Sequence, residues 1–315
     1  VLLYLDCDPG IDDALALGYL IAHPDVDLAL VGSVSGNTDA ATAAVNARGL
    51  LRLFGRPDIP VATGAHDFLS RPFHGGAPHV HGDNGIGGVA LDTTGTTTAR
   101  GSAAEELVAL ARSNPGQVRI LAIGPLTNLA LALDLEPTLP SLVHDVVVMG
   151  GAALAPGNIT PAAEANIFGD PEAAARVLDA AWDLTMVPLD ATMHQRFEAA
   201  DLEALLASDR RPAQVLGELL AQYFDFYSGP FGRPSAALHD PLAAGILTGE
   251  AIATRAFQVR TVVDTTDGPG RGQTIADLRG SYHPDPKAYS GEARWVLAVD
   301  EPFAPTLLER LLSLD

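Results

Sequence analysis

The chain carries one cysteine, Cys7, so no internal disulfide can form. That usage fits a reducing, cytoplasmic setting. It carries one lysine, Lys287, against a formal net charge of −20. A surface this acidic repels phosphate backbones and argues against nucleic acid as a partner. No charge-free apolar run of about 18 residues occurs, which argues against a membrane span. The first residues lack the basic segment and long apolar stretch of a signal peptide. No proline-rich or charged linker divides the sequence and no repeat is evident, so a single domain over residues 1–315 is expected.

What is present begins with VLLYLDCDPGIDDA. Asp6, Asp8, Asp12 and Asp13 fall within eight positions. Residues 1–5 read as a buried strand and residues 14–22 as a helix. The carboxylates therefore sit at the carboxyl end of a strand, where open α/β sheets bind ligands. Like charges crowded there need a cation, and a divalent metal held by oxygen is the simplest answer. Asp6 and Asp8, two apart, point to one side of the strand, and Cys7 points the other way, into packing. Acids at a helix start also serve as caps, which would account for one or two of the four.

Strand-like and helix-like runs alternate through most of the chain. Residues 26–34, 118–123, 143–149 and 184–189 read as strands. Residues 40–54, 105–112, 126–133 and 171–181 read as helices, the last with Asp170 as N-cap before a proline. From about 199 to 247 the pattern is helical. Strands return at 257–263 and 295–299, and a helix at 305–314 closes the chain. The expected fold is α/β: an open, Rossmann-like, mostly parallel sheet flanked by helices, with a helical C-terminal part. Residues 65–88, rich in glycine, proline and histidine, read as a functional loop such as a lid, and residues 93–98 as a low-complexity surface loop.

Three later motifs carry chemistry. In ILAIGPLTNLALAL a strand ends at Ile123 and a Gly-Pro turn leaves backbone carbonyls free to face a ligand. In VVVMGGAALAPGNITPAAEANIFGDPEAA, Gly150 and Gly151 permit close approach of the backbone after Met149. Asn158, Glu164 and Asn166 then gather polar groups suited to sugar hydroxyls, or to capping turns. In AALHDPLAAG, Asp240 at a helix start can complete a metal shell or cap the helix, and His239 can move protons.

The ordered set DCDPGIDDA, GPLTNLA, MGG with GN and AEANIFGDPEAA, and HDP resembles the inosine-uridine-preferring nucleoside hydrolases, from residue 3 to about 244. The resemblance implies a bound Ca²⁺ held by Asp8, Asp13, Asp240 and the Ile123 carbonyl. It implies that Asp8 is the base that activates the attacking water and that Asp6 supports the cluster from behind. Asp12, Asn37, Asn158, Glu164 and Asn166 would hold ribose hydroxyls, with Met149 beneath the sugar. His81 and His239 would lie near the departing base, His239 supplying its proton, and Tyr223 and Tyr227 would form a base-side lid. The implied reaction is hydrolysis of the N-glycosidic bond of a small-molecule nucleoside, by a homodimer or homotetramer. Oxygen-only ligands fit Ca²⁺ or Mg²⁺ rather than zinc, and carboxylates suit an oxocarbenium-like transition state.

One position departs from the pattern. Ala165 stands where many relatives carry an aromatic residue, which widens the sugar's 5′ side and admits modified ribosides. Neither Trp182 nor Trp295 is expected near these motifs. His23 reads as a helix end and His144 and His194 as surface or packing residues. His66, His74 and His79 belong to the lid-like loop. Two rival readings share the opening motif. A haloacid-dehalogenase-type phosphatase also places Asp-x-Asp after its first strand, but wants a later cation for phosphate. A nucleoside-binding protein could keep the metal site without turnover.

Overall fold

The computed structural model describes residues 1–282 and 293–315, and Lys287 lies outside them. The chain opens with β1 (Leu2–Cys7), α1 (Ile11–Ala22), β2 (Asp27–Ser33), α2 (Ala40–Leu53) and β3 (Val61–Thr63). After the short α3 (Pro78–His81) come α4 (Ala103–Ser113), β4 (Val118–Ala122), α5 (Thr127–Leu135), α6 (Leu139–Leu142) and β5 (Val143–Met149). Next are α7 (Ala165–Gly169), α8 (Pro171–Asp179), β6 (Leu184–Val187), α9 (Leu189–Thr192), β7 (Arg196–Glu198), α10 (Ala199–Leu206) and α11 (Arg211–Phe231). The chain continues with β8 (Ser235–Ala237), α12 (His239–Thr248), β9 (Ala253–Val259), β10 (Thr261–Val263) and β11 (Thr274–Ala276). It closes with β12 (Ala293–Val299) and α13 (Ala304–Leu312).

The main sheet has the order β3-β2-β1-β4-β5-β6-β12-β9. All pairs are parallel except β12 with β9. Alternation along β1 divides the core: Leu3, Leu5 and Cys7 pack on one face and Tyr4 on the other. The chain first winds outward from β1 to β3, then restarts at β4 on the other side of β1. The carboxyl ends of β1 and β4 therefore form a topological switch point, where such sheets bind ligands.

Several expected boundaries moved for physical reasons. Helix α1 begins at Ile11, because Gly10 caps it and its own N–H is bonded by Asp13, so Asp12 and Asp13 sit in the first turn. Asp170 caps α8 as expected, accepting from the Ala173 N–H. The expected helical stretch from about 199 to 247 is interrupted by β8, which pairs antiparallel with β7 just before that stretch; strands of three residues are too short to show a period. The expected strand at 257–263 divides at Arg260: β9 stays in the main sheet and β10 pairs with β11. The lid-like loop carries α3. No helix among the described residues is long and apolar enough to cross a membrane.

Candidate active site

The turn after β1 folds its acids inward. The Asp13 carboxylate accepts the N–H groups of Asp8 (3.1 Å) and Gly10 (2.9 Å). Asp8 Oδ2 accepts the Asn37 N–H (2.6 Å), and the Asn37 amide donates to Asp13 Oδ2 (3.2 Å). Asp12 Oδ2 accepts the Tyr223 hydroxyl (3.1 Å). Carboxylate oxygens of Asp12, Asp13 and Asp240 lie within 4.8 Å of one another, with Asp8 beside them. Asp6 lies behind, accepting from the Tyr4 hydroxyl (2.6 Å) and the Asn128 amide (2.9 Å).

These acids are buried together, and three of them leave an oxygen without any hydrogen-bond partner, Asp8 and Asp12 at Oδ1 and Asp6 at Oδ2. Burial, with Asp13 repelling its neighbours, pushes Asp12 up to about 7 and Asp8 well above the carboxylate range. Burial pushes Asp13 up to about 6 and, with repulsion from Asp12, raises Asp240 as well. Burial also raises Asp6 to about 7, against the pull of its two hydrogen bonds. Bare, buried, mutually repelling carboxylate oxygens fit a metal ion held by oxygen.

On the sugar side, Glu164 caps α7: Oε1 accepts the Asn166 N–H (2.8 Å), and Oε2 accepts those of Gly151 (3.0 Å) and Ile167 (3.1 Å). Asn166 Nδ2 donates to the carbonyls of Ile123 (2.9 Å) and Met149 (3.3 Å). The Ile123 carbonyl is thus not free, as the Gly-Pro turn suggested, but keeps one lone pair. Asn158 Oδ1 accepts the Ala165 N–H (3.0 Å), leaving its amide nitrogen unused by the loop.

On the opposite side, His81 Nδ1 accepts the Ile11 N–H (3.1 Å), so the neutral ring carries its proton on Nε2. Its ring lies 5.4 Å from that of Tyr223. His239 Nε2 pairs with the Tyr227 hydroxyl (2.6 Å) and Nδ1 with Thr192 Oγ1 (2.8 Å). Burial lowers His239 to about 4 and His81 to about 3. His239 is the first residue of α12 rather than its antecedent, and Leu238, not Asp240, is the cap.

A cleft of about 320 Å³ joins the two sides. Asp12, Asn37, His81, Ile123, Met149, Asn158, Glu164, Asn166, Tyr223, Tyr227, His239 and Asp240 line it. Asp8 and Asp13 do not line it; both are almost fully buried. Ala165 lines the cleft and is exposed. Of the loop histidines His79 reaches it, and His66 and His74 do not.

The family model described as "Inosine-uridine preferring nucleoside hydrolase" matches residues 3–304. The chain belongs to this family. Nucleoside hydrolases are N-ribosyl hydrolases, and membership removes the phosphatase reading. A "Probable uridine nucleosidase 2" of Oryza sativa subsp. japonica is 37% identical over 87% of this chain and 81% of its own length. A pyrimidine-specific ribonucleoside hydrolase of Salmonella enteritidis is 36% identical over 87% of this chain and 88% of its own. A solved plant nucleoside hydrolase superposes with a TM-score of 0.91 at 31% identity, covering 99% of both chains. A purine-preferring ribonucleoside hydrolase from Gardnerella vaginalis gives the same TM-score at 26% identity, covering 100% of this chain and 99% of its own.

The cleft of this nucleoside hydrolase and its support also include residues that the sequence did not flag. Ile159, Met193, Phe226 and Pro230 add apolar surface to the cleft. Asn128 ties Asp6 to the Ser33 carbonyl (2.9 Å) and to the Ala65 N–H (2.9 Å), holding the root of the lid-like loop. The motif GPLTNLA contains Asn128, and its place in an apolar helix was the available signal. Trp295, expected far from the motifs, lies against Gly151, where a Cβ would come within 2.9 Å of its ring. It is buried, with Nε1 donating to Thr261, and is not a cleft residue. Trp182 is core, donating to the Val177 carbonyl.

Proposed function

We propose that the chain is a Ca²⁺-dependent ribonucleoside hydrolase that releases free base and ribose, with uridine as its first substrate. The observation that carries this reading is a buried acidic cluster with bare oxygens on Asp8 and Asp12, which reaches a cleft through Asp12 and Asp240, while the Tyr227–His239 pair also lines that cleft. The names of the pyrimidine-directed relatives support uridine. The same reading carries one domain over residues 1–315, a homodimer or homotetramer, and a cytoplasmic setting.

Asp8 takes a proton from the attacking water, whose oxygen bonds to the anomeric carbon as the glycosidic C–N bond breaks. The electron pair of that bond goes to the base, which gains a proton from the His239–Tyr227 side. Asp12, Asn37, Asn158, Glu164 and Asn166 hold the ribose hydroxyls, and the negative charge of Asp12 and Glu164 stabilises the oxocarbenium-like sugar. Met149 lies beneath the sugar, and His81 and Tyr223 face the base. When bound at Asp8, Asp13, Asp240 and the Ile123 carbonyl, Ca²⁺ supplies Lewis acidity and neutralises the cluster.

Ala165 favours a second reading, in which the substrate is a riboside modified on its 5′ side, because a small exposed residue leaves that wall of the cleft open. The test is release of ribose from inosine, uridine, cytidine, adenosine and guanosine, with Ca²⁺ and after chelation. Chelation-sensitive release, fastest from uridine, supports the proposal. No release from any of the five by folded, Ca²⁺-loaded protein overturns it in favour of modified ribosides or of binding without turnover.

A further inference from the structure

One helical turn touches both walls of the cleft without supplying a group to the chemistry. Helix α9 begins right after β6, with the Leu189 N–H donating to the Gly151 carbonyl (2.9 Å). Asp190 turns toward the segment that follows Gly151. Its Oδ2 accepts the Ala153 N–H (2.8 Å), and Oδ1 accepts those of Leu154 (2.8 Å) and Ala155 (3.1 Å). Three consecutive backbone donors thus converge on one carboxylate that is 9% exposed. The same segment runs on to Asn158 on the sugar wall. Two residues later, Thr192, fully buried, meets His239 Nδ1 at 2.8 Å on the base wall. The imidazole is then held at both nitrogens, by Thr192 and by Tyr227, which fixes the plane of the ring.

We propose that Asp190 and Thr192 are positioning residues for hydrolysis. Asp190 sets the sugar-binding segment 153–158, and Thr192 sets the orientation of His239 toward the leaving base. Because both sit on one rigid turn anchored to the sheet, the spacing between the sugar wall and the base wall is built in rather than formed on binding. The inference rests on the proposed role of His239 for its second half only.

The two residues predict different kinetic signatures. Thr192→Val keeps the shape and removes the hydroxyl. It lowers kcat on uridine by ~10-fold or more, because one ring nitrogen loses its partner. It leaves turnover of p-nitrophenyl riboside, whose leaving group needs no proton, within about threefold of wild type. Thr192→Ser, which keeps the hydroxyl, restores uridine turnover. Asp190→Asn puts an amide against a backbone N–H and raises KM by ~10-fold on both substrates alike, since both share the ribosyl group. His239→Ala is the comparator and shows the same uridine-specific loss. Equal losses on both substrates in Thr192→Val, or wild-type rates on both, overturn the Thr192 half when His239→Ala does discriminate. If His239→Ala does not discriminate, the role of His239 fails and the Thr192 half falls with it, while KM in Asp190→Asn is still decisive. An unchanged KM on both substrates in Asp190→Asn overturns the Asp190 half.

Discussion

Gly36→Ala tests the placement of Asp8 without altering any polar group. A Cβ on Gly36 would lie 2.0 Å from Asp8 Oδ2 and 2.7 Å from Pro125 Cδ, where real contacts stay above 3.0 Å. Relief therefore requires a shift of at least about 1 Å. The proline blocks one escape, so the carboxylate is the part that yields. Gly36 does not occupy the left-handed region, so backbone strain adds nothing and the effect is steric. Displacing Asp8 Oδ2 breaks its 2.6 Å bond from the Asn37 N–H. A hydrogen bond to a charged group is worth about 1.5–3 kcal/mol, and overpacking adds about 1–3 kcal/mol. A 1 Å misplacement of a reacting group costs ~10²-fold in rate. The expected result is a drop of ~10²-fold in kcat/KM for uridine, with a lowered melting temperature and a protein that still folds. Steady-state kinetics beside thermal melting measures both. Activity within about threefold of wild type would mean that Asp8, where it sits, is not the base.

Three further outcomes follow from the same geometry. Asp8→Asn keeps the shape and removes the base, so kcat on uridine falls by ~10²–10⁴-fold with an unchanged far-UV spectrum; near-normal turnover would take Asp8 out of the mechanism. Asp12 and Asp13 are raised from 3.8 to about 7 and about 6 in the cation-free fold, so between pH ~4 and ~7 the folded chain holds more protons than the unfolded one. Their contribution is therefore most favourable at the low end of that window and is lost as pH rises, so the chelated protein's melting temperature falls from pH 5 to 7.5 and Ca²⁺ flattens the slope. A melting temperature that climbs with pH after chelation would contradict the bare cluster. Asn128→Ala removes the partners of Asp6, Ser33 and Ala65 at once and costs about 3 kcal/mol or more in urea unfolding; a loss under 1 kcal/mol would show that water replaces the amide.

The architecture was legible wherever periodicity and punctuation agreed. The run 143–149 ends on three valines and Met149 before Gly150, and β5 occupies those same residues. Asp170 followed by a proline marked the start of α8 because capping is a local chemistry. The short strands β7 and β8 escaped because three residues cannot display a period of two. They exist through their pairing with each other, with Phe197 opposite Ala236, 39 positions away in sequence.

The site divides along the same line, between what is local and what is distant. The acids of the first turn announce themselves because they are adjacent in sequence. What makes them a site is remote: Tyr223 reaches Asp12 from 211 residues away, and Asn128 reaches Asp6 from 122. Asp190 and Thr192 carry no local anomaly at all, since a small acid and a threonine near a helix start are ordinary caps. Their function lies in partners 35–37 and 47 positions away. Sequence reading thus finds the groups that do chemistry, because chemistry needs unusual residues close together. The groups that hold them in place need only ordinary residues and the right fold, and the parallel sheet supplies the alignment by ending β1, β4, β5 and β6 on one edge.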